Sequence, residues 1–231
     1  MNTHLTKTLA VLKRKRKILF VVTSNRWSGD REDPKSTLLA KHIQKLVGKD
    51  KVTLLDATRL KIHTCEGNVS IRKGNTCGAK GAVLKDSKKN PSGLHRCWAS
   101  INHQDDELWK LSRQLLQSDA VVFFGSVRWG QMNSIYQKVI ERLTWLENRH
   151  STFGEANVLA GIDAGLICTG HNWNEEEVIA TQKHVLKFFG FNVPTELSWF
   201  WRYTRISGDE SRRSYKAAFA KFAKEFDIET A

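Results

Sequence analysis

Short, wholly apolar runs alternate along this chain with segments whose apolar residues recur every three to four positions. The runs at 17–23 (KILFVVT) and 119–125 (DAVVFFG) are apolar at successive positions, the pattern of a strand buried on both faces. Further strands are expected at 51–56 and 162–168, and a more polar, edge-type strand at 192–199. Between them, 36–48 reads as a helix with Leu39, Ile43, Leu46 and Val47 on one face and Gly48 at its end. A helix over 104–117 buries Leu108, Leu111 and Leu115, and one over 132–149 buries Ile135, Val139, Leu143 and Leu146. Asn174 and three following glutamates open a helix that ends before Gly190. The helix over 211–226 is expected to turn Tyr215, Phe219 and Phe222 inward. Residues 57–102 are rich in glycine and lysine and lack periodicity, so they read as a long inserted loop.

Strands alternating with helices predict an α/β fold: a doubly wound five-stranded parallel sheet in the order 2-1-3-4-5, with a long insertion after strand 2. The expected organisation is a basic N-terminal arm at 1–16 and one ligand-binding domain at 17–231 that carries the insert 57–102. In such a sheet the ligand lies beside strands one and three, where the winding reverses.

Charge and cysteine content narrow the classes. The 231 residues carry a formal net charge of +13, part of it in the run Lys13, Arg14, Lys15, Arg16 and Lys17. A positive field suits a protein whose ligands carry phosphates; the remaining basic charge is scattered, which argues against nucleic acid as a partner. No apolar run approaches the ~20 residues of a membrane span, and the apolar stretch 9–12 precedes the charges, unlike a secretory signal. The expectation is a cytoplasmic protein with no membrane partner. Cys65, Cys77, Cys97 and Cys168 are too few in this length to form a disulfide framework. No C-x-x-C pair is present, so no metal ligand is assigned, although a zinc site using Cys65, Cys77, Cys97 and His63 or His95, or a redox-active thiol pair, stays open.

Three loops carry the candidate chemistry. The loop at 23–37 offers hydroxyls at Thr23, Ser24, Ser28, Ser36 and Thr37 and cations at Arg26, Arg31 and Lys35, ahead of a helix N-terminus. Free N–H groups and a positive dipole end there suit a phosphate dianion, although neither a Walker loop nor G-x-G-x-x-G is present. The loop at 125–133 (GSVRWGQMN) has Gly125 and Gly130 for close backbone approach, and Trp129 and Met132 to line the face of an aromatic ring. The loop at 169–174 supplies Thr169, Gly170, His171 and an indole; His171 is a candidate hydrogen-bond donor or proton relay.

These loops, with Asp105-Asp106 leading into the third apolar run, give the chain a resemblance to the NADPH-dependent FMN reductase family of the flavodoxin-like superfamily over roughly residues 17–192. The resemblance implies FMN phosphate on Ser24, Arg26, Ser36 and Thr37. It implies the ring against Ser126, Val127, Arg128, Trp129, Gly130 and Met132, and a third contact at Thr169, Gly170 and His171. It implies an NAD(P)H oxidoreductase, with NADPH as co-substrate, passing electrons through FMN to a quinone, a flavin or a similar small acceptor, and a homodimer. No catalytic residue is assigned, because the redox chemistry belongs to the flavin. The first loop departs from the family pattern in being longer and acidic at Asp30, Glu32 and Asp33, and Arg128 places a cation where the ring face is usually neutral. Two other functions remain open at this point: a flavodoxin-type electron carrier, and a nucleic-acid-binding or regulatory domain.

Overall fold

The computed structural model describes residues 2–26 and 32–229. Its sheet has the strand order β2-β1-β3-β5-β6, formed by β1 (Ile18–Val22), β2 (Val52–Asp56), β3 (Ala120–Arg128), β5 (Asp163–Gly170) and β6 (Trp199–Arg202). All four pairings along this path are parallel. A two-residue strand, β4 (Gln131–Met132), pairs antiparallel with the end of β3. Without β4, the order is the flavodoxin-like 2-1-3-4-5 expected from the alternation of runs.

The doubly apolar strands are split by the pleat between two cores. Leu19 and Val21 of β1, with Val121 and Phe123 of β3, face one helical layer. Ile18, Phe20 and Val22, with Ala120, Val122 and Phe124, face the other. The first layer contains α4 (Leu108–Leu115), α5 (Ser134–Ser151) and α6 (Glu175–Phe188). The second contains α1 (Thr3–Leu12), α2 (Lys35–Val47) and α7 (Arg212–Phe226). None of the described helices is long and apolar enough to cross a membrane.

Three local expectations are corrected. Residues 3–12 of the expected arm form α1, with Leu5, Leu9 and Leu12 buried against the second core. Asn2 Oδ1 accepts from the backbone N–H groups of His4 and Leu5, and Thr8 bridges to Glu196 O and the Trp199 indole. The following basic run is tied to the sheet: Arg16 and Lys17 donate backbone N–H groups to Asp119, and Lys15 pairs with Asp163 at 2.5 Å. The last strand is shifted from 192–199 to Trp199–Arg202, where Trp199 and Trp201 alternate inward, and Asn192 makes only an isolated bridge to Asp163. The helix expected from 104 begins at Leu108, because Asp106 is turned inward to pair with Arg142.

The insert is packed onto the sheet layer. It contains a short helix, α3 (Trp98–Asn102), and its Ile62, Cys77, Cys97 and Ala99 join the first core. Arg142 of α5 clamps it: Nη1 donates to Asp106 Oδ2 and to His63 O, both at 2.7 Å, and Nη2 donates to Asp106 Oδ1, Ser100 Oγ and Cys97 Sγ. Nearby, His95 hydrogen-bonds Ser112 Oγ through Nδ1 at 2.7 Å. Burial, set against the opposing charge of Asp106, lowers its pKa from 6.5 to about 4. The unfolded chain therefore takes up a proton on His95 below pH 6.5 that the folded chain refuses until about pH 4, so stability falls as pH drops through that window. Urea midpoints measured from pH 7 to pH 4 should fall in the wild type, and the slope should flatten in His95→Gln.

Candidate functional site

The carboxyl ends of β1, β3 and β5 open into a cavity of about 680 Å³, within the range for a small-molecule or cofactor site. At one end, Ser36 Oγ donates to Ser24 Oγ at 2.9 Å across the mouth of α2, and both serines are buried from bulk water. Arg26 and Lys35 line the same end, and Arg26 Nη1 lies 2.9 Å from Glu32 Oε2. Burial, then the charge of Arg26, lowers the Lys35 pKa against the opposing pull of Glu32. A cation burdened in this way is stabilised by an arriving anion. Ser28, Asp30 and Arg31, expected in this loop, lie outside the described residues.

The middle of the cavity is a hairpin where the sequence suggested a loop. β3 runs on to Arg128, the chain reverses at Trp129 and Gly130, and Val127 and Arg128 pair with Met132 and Gln131. Trp129 and Gly130 have φ of 51° and 72°, the two positive values of a type I′ turn. The indole of Trp129 is 94% exposed at this tip. Asn133 ties the hairpin base to β1: its Oδ1 accepts from Ser126 N and Thr23 Oγ1, and its Nδ2 donates to Thr23 O at 2.8 Å. A Cβ at Gly125 would overlap Met132, Asn133 and Thr23, so this knot requires glycine. Ser126 Oγ, buried at the cavity wall, has no hydrogen-bond partner among the described residues.

The third wall comes from Thr169, Gly170, His171, Asn172, Trp173 and Glu175. The His171 ring stacks on Tyr215 at 3.9 Å and on Tyr203 at 5.2 Å between centroids, and its Nε2 lies 2.9 Å from Asp209 O and 3.2 Å from Ser214 Oγ. His171 thus anchors the segment that brings Ser207, Glu210 and Tyr215 to the cavity. The Tyr215 hydroxyl donates to Glu210, which pushes the phenol up to about 12 and, with Asn172, holds the Glu210 carboxyl below its usual range.

Of the sequence-selected residues, Ser24, Arg26, Ser36, Ser126, Val127, Arg128, Trp129, Gly130, Thr169, Gly170 and His171 line one cavity. Thr37 and Met132 are buried and lie behind the lining. Tyr215, expected in the core, is 44% exposed and faces the cavity instead. Glu175, Ser207 and Glu210 had no sequence signal beyond their position in helix-start or loop segments. The four cysteines are free thiols; burial pushes Cys77 up to about 12 and Cys168 higher still. Among the described residues no group of three or more His, Cys, Asp or Glu side chains is arranged to hold a metal ion.

No family model matches this chain, and no curated protein sequence matches it. Solved structures do. RosB with bound 8-demethyl-8-formylriboflavin-5′-phosphate is 17% identical with a TM-score of 0.56, over 92% of this chain and 75% of that one. The azoreductase AzrA is 14% identical with a TM-score of 0.55, over 92% and 98%. An azoreductase from Bacillus anthracis str. Sterne is 15% identical with a TM-score of 0.51, over 91% and 98%. The chain shares the fold of these proteins.

Proposed function

We propose that this protein is an FMN-dependent NAD(P)H oxidoreductase that hands electrons from a reduced nicotinamide to a small acceptor such as a quinone or a flavin. The observation that carries the reading is the composition of the cavity along its length. A buried hydroxyl pair, Ser24 and Ser36, sits with Arg26 and Lys35 at a helix N-terminus, where a phosphate is well received. Beyond it, the backbone at Val127, Gly130, Thr169 and Gly170 and the unpartnered Ser126 Oγ border the space for a flat, hydrogen-bonding ring. The fold shared with azoreductases and with a protein holding a riboflavin phosphate supports the same assignment.

Bound flavin would supply the hydride and electron chemistry. The chain's own residues bind and orient. Ser24, Ser36, Arg26 and Lys35 would hold the phosphate; Ser126, Val127, Arg128, Gly130, Thr169 and Gly170 would set the ring plane; Trp129 and Tyr215 would border the open face, where a nicotinamide and then the acceptor take turns. The surplus of cations favours NADPH over NADH. Exposed Trp129 and Trp173, on either side of Gly130 at the cavity rim, give a second copy of the chain an apolar spot to cover, in keeping with a cytoplasmic homodimer. Mixing the FMN-loaded protein with NADPH under anaerobic conditions tests the activity: the yellow colour should bleach within seconds, and a flavin that stays oxidised would remove the reductase reading.

Trp129 offers a prediction of opposite signs. Its left-handed backbone costs a non-glycine residue about 1 kcal/mol, and asparagine is at home in a type I′ turn. Trp129→Asn should therefore leave the urea midpoint unchanged or raise it, while raising the KM for an aromatic acceptor several-fold. A fall in stability would show that the indole is structural.

A further inference from the structure

β3 runs on past Ser126 into the hairpin, and the pleat of the strand decides where its last side chains stand. Val127 packs with Met132 on the first core, so Ser126 and Arg128 share the other face, towards the cavity. Ser126 Oγ is sealed in the wall, whereas Arg128, two residues nearer the tip, is exposed at the mouth. Neighbouring arginines are paired: Arg26 with Glu32, and Arg202 with Glu175 and Glu176. Arg128 has no ion-pair or hydrogen-bond partner among the described residues. The facing wall is acidic. Tyr215 and Asn172 hold the Glu210 carboxyl below its usual range, and the charge of Arg128 reaches the Tyr215 phenol across the opening. The mouth therefore has a cation on its hairpin side and a carboxylate on the side of α7.

We infer that the Arg128 guanidinium receives the diphosphate of the reduced nicotinamide dinucleotide. This rests on the flavin reading above and deepens it. With the flavin phosphate at the Ser24–Ser36 end, the nicotinamide has to meet the open ring face between Trp129 and Tyr215. The diphosphate is joined to that nicotinamide through one ribose, so it is the anionic group that comes to lie nearest the mouth; the 2′-phosphate of NADPH sits on the far adenosine. Glu210 repels the diphosphate on one side and Arg128 attracts it on the other, so charge fixes which way the dinucleotide lies across the rim. A planar guanidinium can give two parallel N–H groups to phosphate oxygens, which adds geometry to the attraction. The cation that departs from a neutral ring face thereby has a use: its backbone borders the ring, and its side chain serves the electron donor.

Stopped-flow reduction of the FMN-saturated protein tests this by comparing NADPH and NADH with 1-benzyl-1,4-dihydronicotinamide, which carries the same reducing ring and no phosphate. In Arg128→Gln, the rate constant for either dinucleotide relative to the benzyl compound should fall at least about fivefold from its wild-type value, the scale of one partly exposed charge-assisted contact. Arg128→Lys should restore part of that ratio. The position is exposed and unpartnered, so both variants keep the fold. Added salt should slow the dinucleotides more steeply in the wild type than in Arg128→Gln, because it screens this contact. An unchanged ratio overturns the inference; if all three donors slow alike, Arg128 serves the flavin ring itself. A fall confined to NADPH also overturns it and assigns Arg128 to the 2′-phosphate. A wild type that binds no FMN at all removes the flavin reading, and this inference with it.

Discussion

Replacing Arg142 by leucine should destabilise the protein by about 3–5 kcal/mol, because it leaves the Asp106 carboxylate buried without its partner. Neither side chain of this pair is exposed to solvent. The guanidinium also reaches Ser100, Cys97 and the carbonyl of His63, so one side chain of α5 holds two stretches of the insert. Burial pushes the Asp106 pKa up, but the Arg142 hydrogen bonds and charge, with Ser100 and the His63 N–H, outweigh it and hold the carboxyl below its ordinary 3.8. A depressed carboxylate contributes stability above its unfolded pKa that is lost as pH falls through the folded one. The pair should therefore weaken only below about pH 4, a lower window than that of His95. Such a loss is a large share of the ~5–15 kcal/mol that holds a typical domain together. Urea denaturation at pH 7 measures it. The double variant Arg142→Leu with Asp106→Leu should recover part of it, since the unpaired charge is then gone. A single-variant loss under about 1 kcal/mol would mean that water reaches the carboxylate.

Lys35→Ala should lower the affinity for FMN by about ten- to a hundredfold, the scale of one lost charge-assisted contact, and leave riboflavin binding within about twofold. Lys35 is half-buried at the cavity end next to Arg26, and burial with that like charge lowers its pKa. The charge of a phosphate dianion offsets both the burial and the like charge, whereas a ligand without phosphate offsets neither. The discrimination between the two flavins makes the experiment specific: a general disturbance of the loop would weaken both. Titration by flavin fluorescence reads it directly. Equal losses for FMN and riboflavin would move the phosphate away from this end of the cavity.

The fold was legible where burial followed a simple period. In β1 and β3 successive apolar residues serve two cores, so the continuous runs marked the centre of the sheet, and the alternation with helices gave the strand order. The site was legible to the same degree, because the ligand cleft of such a sheet follows from where the winding reverses, and the loops after β1, β3 and β5 do meet there. What escaped had other causes. The Leu5, Leu9 and Leu12 stripe of α1 was hidden by the weight of adjacent charge. The insert is held by polar groups, Arg142–Asp106 and Asn90–His95 among them, and partners of that kind leave no periodic trace in a sequence. Tyr215 sits on an inward-looking stripe of α7, yet its ring stacks on His171 and faces the cavity. Glu175 reads as a charge for a helix start, and only its burial and its unmatched oxygen distinguish it from its neighbours.

Parallel titration of the purified wild-type protein with FMN and riboflavin, followed by quenching of flavin fluorescence, tests the phosphate-gripping cavity most directly. One equivalent of FMN should saturate the protein, with riboflavin at least about tenfold weaker, the share expected of a single charge-assisted phosphate contact or more. Absence of FMN binding, or equal affinity for the two flavins, would contradict the account.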